Sequence, residues 1–171
     1  MKQAYAIYLL VSLLVLIACS EKNPVNHEEN FAVPTDEEMP KILYTGTDDY
    51  ARSMNFDIEI EKGVVFYRQI SYEDMEHPIE HKIALPVALW EGLKATTNLE
   101  QLHRVTMPLS CGNFMEYITL VDESGETGFG YALGAPLENI KMQVSGATDS
   151  VLGFVHQLRI IDDYCYKKIS K

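Results

Sequence analysis

The stretch from Met54 to Tyr72 constrains the fold most. Phe56, Ile58 and Ile60 alternate with Asp57, Glu59 and Glu61, Lys62-Gly63 offers a turn, and Val64-Val65-Phe66-Tyr67-Arg68-Gln69-Ile70 resumes a β-rich run. Successive side chains of a strand point to opposite faces, so this pattern on both sides of a two-residue turn predicts an antiparallel hairpin with one buried face. An apolar sheet face must be covered, and the chain offers two helix candidates. Pro86 suits a first helical position, and Val87, Trp90 and Leu93 follow at helical spacing, which predicts a helix over 86–96 and a further turn over 99–104. Asp149 or Ser150 can cap a second helix, whose Val151, Phe154, Val155, Leu158 and Ile161 form an apolar stripe.

The remaining segments read less sharply. A second hairpin is expected over Phe114–Leu133, with Asp122–Gly128 as its connection. Lys41–Thr45 predicts a short edge strand, Tyr72–Lys82 a loop around Pro78, and Ile140–Val144 a further strand. The expected whole is one α+β domain over residues 41–171. It is an antiparallel sheet built from two hairpins with helices packed on one face, arranged as two similar ββα halves.

Ahead of this domain, Ala4–Ile17 is one apolar run preceded by Lys2, the pattern of an export signal and shorter than the roughly 20 residues of a membrane-spanning helix. Leu16-Ile17-Ala18-Cys19 resembles the lipobox of bacterial lipoproteins. That resemblance covers the first 20 residues and implies cleavage after Ala18, lipidation of Cys19 and anchoring to a membrane. Ser20 in the next position implies sorting to the outer membrane in a two-membrane envelope. Residues 19–40 then read as a flexible acidic tether, because Ser20–Pro40 is rich in prolines and acids and has almost no apolar periodicity.

The chain carries a formal net charge of −11. Removing residues 1–18 takes away Lys2 and no acid, which leaves 13 basic side chains against 25 acidic ones, or −12. Nucleic acid and anionic lipid head groups are poor partners for such a surface, and a basic protein is a good one. With ten tyrosines in the chain, Tyr44, Asp48, Asp49, Tyr50, Tyr67 and Tyr72 form the candidate partner-binding set: aromatic anchors beside carboxylates.

Cys111 and Cys165 are expected to form a disulfide in an oxidising compartment, stabilising the fold by about 4 kcal/mol in the chain-entropy model. A Cys111 nucleophile with His103 or His156 as base finds no support in the spacing. His77-Pro78-Ile79-Glu80-His81 matches the H-x-x-E-H string of inverted zinc peptidases, but Pro78 works against the helix that string needs. His77 and His81 are therefore only a weak metal alternative, and neither metal nor cofactor is expected. Asp122-Glu123 and Asp162-Asp163 read as solvated acids.

These observations point to a cell-envelope lipoprotein acting as a non-catalytic protein-binding module. An immunity protein against a toxin, or an inhibitor of a basic envelope hydrolase, fits the description. A structural or assembly lipoprotein is the alternative, and a small envelope hydrolase is the third reading.

Overall fold

The structure, a computed structural model, describes Phe31 and residues 39–49, 54–106 and 115–170. Among them are six strands: β1 (Lys41–Asp49), β2 (Met54–Glu61), β3 (Val64–Ser71), β4 (Ile79–Ala84), β5 (Met115–Asp122) and β6 (Gly125–Ala132). Helices α1 (Val87–Thr96) and α2 (Leu99–Leu102) separate β4 from β5, and α3 (Leu137–Gln143) and α4 (Asp149–Ile169) follow β6. The fold is α+β: one antiparallel sheet in the order β4-β3-β2-β1-β5-β6, with the helices packed on it.

The hairpin expected over Met54–Tyr72 is β2–β3. Ile58 pairs with Tyr67 and Ile60 with Val65, and all four are buried. Both turn residues have positive φ, Lys62 at 49° and Gly63 at 74°, as a turn matched to the strand twist requires. β5–β6 is the second hairpin, with a tighter connection than expected: Asp122 pairs with Gly125 across Glu123 and Ser124.

Three expectations need correction. Lys41–Thr45 is not an edge but the start of β1, which lies between β2 and β5. Ile42 and Tyr44 are sealed in the core, and a short apolar alternation becomes central once two neighbours cover it. The polar segment expected to be a loop up to Lys82 contains β4, whose residues are exposed or half-buried because it borders the sheet. Ile140–Val144 lies mostly in helix α3, where Ile140 is buried and Met142 is exposed. The two similar ββα halves therefore do not describe the domain, since β1–β4 form a meander and β5–β6 join it through β1.

Along each strand one set of alternate residues faces the helices. Ile42, Tyr44, Phe56, Ile58, Ile60, Val65, Tyr67, Ile118, Leu120, Phe129 and Tyr131 belong to one buried cluster with the α4 stripe Val151, Phe154, Val155, Leu158 and Ile161. Trp90 and Leu93 of α1 join it as the helical spacing implied. The α4 cap is Thr148, one residue earlier than expected, whose hydroxyl accepts from the Val151 N–H at 3.4 Å. No helix among the described residues is long and apolar enough to cross a membrane. The segment expected as tether is not wholly detached: Phe31 forms an isolated bridge to Pro86, Met39 packs on the core and Pro40 is buried.

Candidate functional site

Tyr44 and Tyr67, expected on a binding surface, are about 1% exposed. They lie directly across β2 from one another, each paired with Ile58, and their hydroxyls serve a buried polar cluster. Tyr44 Oη donates to Glu116 Oε2 at 2.6 Å, and Tyr67 Oη donates to Asp162 Oδ1 at 3.0 Å. Asp162, expected to be solvated, is 6% exposed. Tyr72 is half-buried near the end of β3. The side chains of Asp48 and Asp49, and all of Tyr50, lie outside the described residues.

Glu116 is the centre of this cluster, and nothing in its sequence neighbourhood distinguishes it from the other acids. Arg159 of α4 reaches it twice, Nε to Oε2 at 3.0 Å and Nη2 to Oε1 at 2.9 Å, and its Nη1 donates to Ala135 O at 2.7 Å. The Gly134 N–H adds 2.8 Å to Oε1. With Tyr44 that makes four donors on one carboxylate, which has about four acceptor positions. Burial alone would raise the Glu116 pKa, but the hydrogen bonds from Arg159, Tyr44 and Gly134 outweigh it and hold the group below its ordinary value. A saturated, acid-shifted carboxylate has neither a proton to give nor a lone pair to offer. The small cavity of about 280 Å³ beside it, lined by Tyr44, Phe56, Glu116, Gly134, Arg159 and Asp162, is thus bordered by a structural clamp joining β5 to α4. The Tyr131 hydroxyl is buried against this cluster, beside Glu116 and Tyr44.

The other face of the sheet differs in kind. The residues out of phase with the core form two cross-strand rows: Lys82, Phe66, Glu59, Leu43 and Thr119, then Glu80, Arg68, Asp57, Thr45 and Tyr117. Phe66 is 43% exposed and Tyr117 41%. Across β1 to β4 these rows line a groove of about 610 Å³ with Leu43 and Thr45 on its floor and Asp57, Glu59, Phe66 and Glu80 among its walls. Its charges are partly matched within the chain: Lys41 to Glu59 at 2.8 Å, Arg68 to Glu80 at 3.1 Å, and Lys82 over the Phe66 ring at 5.3 Å. Such exposed pairs contribute about 0–1 kcal/mol each, so they leave the face open to exchange. The Tyr117 ring lies along β6, where a Cβ on Gly130 would sit 2.8 Å from it, so the glycines of that strand give the ring its bed. The alternation Phe56-Asp57-Ile58-Glu59 does show which side of β2 is wet; the exposure of Phe66 and Tyr117 appears only once pairing fixes their phase.

The described histidines do not converge. His77 lies in the β3–β4 connection against Asp74 at 2.9 Å, while His81 sits on β4, so the H-x-x-E-H string is strand and loop rather than helix. No group of three metal-ligating side chains occurs among the described residues. His103 pairs with Asp122 at 3.0 Å, and Asp122 also takes the Ser124 N–H at 2.8 Å.

Of the expected Cys111–Cys165 pair only Cys165 lies among the described residues, which hold no disulfide. Cys165 is a free thiol sealed beneath the sheet on α4, where it packs as a small apolar residue; Cys111 lies outside the described residues, as does the lipidation candidate Cys19. Burial pushes the Cys165 thiol up to about 12, with Asp162 adding to the shift. Cys165 should therefore resist alkylation at pH 8 in the native protein and react fully in denaturant, and reductant should leave the melting temperature unchanged. A fall of several degrees on reduction would contradict the free thiol.

No protein-family model matches the chain, and no curated protein sequence matches it significantly.

Proposed function

We propose that this chain is a lipid-anchored protein of the bacterial cell envelope, most simply of the outer membrane. Its domain binds a basic protein through the sheet face that the described helices leave open, the helix-free face, and catalyses no reaction. The observation that carries this reading is the contrast between the two sheet faces. One is packed with aromatic and aliphatic side chains under the helices, while the other presents the partly exposed Phe66 and Tyr117 and a groove in which Asp57, Glu59 and Glu80 stand beside Arg68 and Lys82. Exposed aromatics flanked by polar groups are the usual anchors of protein interfaces. The net charge of −11 favours a basic partner and speeds its approach. An immunity protein or a hydrolase inhibitor would work in this way, by masking a basic surface.

The anchor rests on the Leu16–Cys19 motif. Cys19→Ala should abolish lipid labelling and leave an unprocessed or soluble chain, whereas normal labelling would contradict the address. For binding, envelope extract is passed over the immobilised full chain, solubilised in detergent. A basic protein should be retained at low salt, released as salt rises, and lost with Phe66→Ala or Asp57→Lys but not with Met142→Ala on the helical side. Equal retention by Phe66→Ala, Asp57→Lys and wild type would contradict the assignment of the face.

A further inference from the structure

Among the described residues β4 borders the sheet, bonded to β3 on one side, and the isolated bridge from Phe31 reaches the chain at Pro86, two residues beyond its end. The Leu85 N–H donates to Gly63 O at 2.9 Å, continuing the register in which Val64 pairs with Ala84 and Val65 with Ile83. Bonded and non-bonded pairs alternate along an antiparallel ladder. Ile79, His81 and Ile83 therefore turn their backbone groups toward β3, and Glu80, Lys82 and Ala84 turn theirs outward. Glu80, Lys82 and Ala84 are exposed, and no hydrogen bond to their outward backbone groups occurs among the described residues.

Charged side chains on an edge strand ordinarily discourage pairing with another chain. Here they are arranged as their own complement. In Ile79-Glu80-His81-Lys82-Ile83, a two-fold axis through His81 places Glu80 opposite the second copy's Lys82 and Ile79 opposite the second copy's Ile83, each twice. The phase of the ladder agrees with this register. Glu80 and the second copy's Lys82 become a hydrogen-bonded pair that exchanges both backbone bonds, while the two His81 residues become the non-bonded pair, where side chains approach most closely. Room exists on both faces. Ile79 is 58% exposed and His81 and Ile83 are half-buried, so the helices stop short of this border. On the other face Arg68 and the Phe66 ring already hold Glu80 and Lys82 in place.

We infer that β4 is a homodimerisation edge, at which two copies pair antiparallel about His81 to make one continuous sheet. The axis stands perpendicular to the sheet, so the helix-free faces of both copies look the same way and the dimer presents two grooves side by side. An interface of one short strand is smaller than a standard stable interface, so the dimer is weak in dilute solution. Confinement of both copies to one membrane raises their effective concentration and favours it.

Disulfide trapping of the full chain in membranes tests this. His81→Cys should give a covalent dimer under mild oxidation, with wild type as control. Lys82→Cys, which faces Glu80 of the other copy rather than itself, should give roughly fivefold less. Adding Glu80→Lys to His81→Cys sets lysine against lysine at both pairs and should lower the yield about tenfold. Adding Lys82→Glu to that chain should restore it, although the contact of residue 80 with Arg68 stays broken, which separates the interchain pair from the intrachain one. Failure of His81→Cys to cross-link, equal cross-linking by Lys82→Cys, or no recovery in the charge-swapped chain would overturn the inference. Because β4 is tested without any partner, the result is independent of the binding face.

Discussion

Arg159→Ala should destabilise the domain by about 3–5 kcal/mol, the usual consequence of removing one member of a buried ion pair. The Glu116 side chain is 5% exposed and Arg159 supplies two of its four hydrogen bonds. Without the guanidinium, a carboxylate would be left among Tyr44, Tyr131 and the α4 core with only a hydroxyl and a backbone N–H. It would escape part of that penalty by taking up a proton, and the pH dependence follows. In the native protein the Glu116 pKa lies below its ordinary value. The unfolded chain then binds the proton more readily, so this group stabilises the fold above the unfolded value of about 4.3 and loses that contribution as pH falls through the depressed native one. In Arg159→Ala the shift reverses, the folded state binds the proton more readily, and the deficit should shrink as pH falls. Urea unfolding of both proteins between about pH 3 and pH 7 measures this. A constant small difference, under roughly 1 kcal/mol, would mean that the pair contributes no more than a surface ion pair.

Gly46→Ala should cost about 3 kcal/mol, the upper end for overpacking. Gly46 lies on the core face of β1 between Phe56 on β2 and Glu116 on β5. The Phe56 ring fills the space where a side chain would stand, so an added Cβ would come within 2.1 Å of its edge. That ring cannot simply tilt away, because it packs edge-on to Tyr44, with centroids 5.4 Å apart, and stacks on Tyr67 at 6.3 Å. Phe56→Leu in the same chain should recover part of the loss, since it empties the volume the new methyl group needs. The melting temperatures of the two single variants and the double variant give the coupling directly. Strictly additive losses would show that the two positions do not compete for space.

The elements legible in the sequence were those held by local pattern. β2–β3 was visible because its alternation and its turn lie within one short stretch, and α4 because five apolar residues recur at helical spacing. β1 was visible as a strand but not as the centre of the sheet. Its second neighbour, β5, comes some 70 residues later, and nothing near Ile42 or Tyr44 announces that pairing. β4 was hidden because an edge strand carries little apolar alternation, and Pro78 just before it resembles loop punctuation. Tyr44 and Tyr67 look like surface residues in the sequence for a related reason. A tyrosine next to acids looks exposed in sequence, yet the partners of these two hydroxyls, Glu116 and Asp162, lie on other elements. Cys165 meets the same limit: cysteine count suggests pairing with Cys111, which lies outside the described residues, and only the fold places the Cys165 thiol under the sheet.

The most direct test of the binding face is photocross-linking in intact cells, with a photoreactive residue at position 66 in the groove and, separately, at exposed position 142 on α3. A basic envelope protein trapped from position 66 and not from position 142 is the expected result. The same protein trapped from both positions, or only from position 142, would contradict the assignment of the helix-free face as the partner's seat.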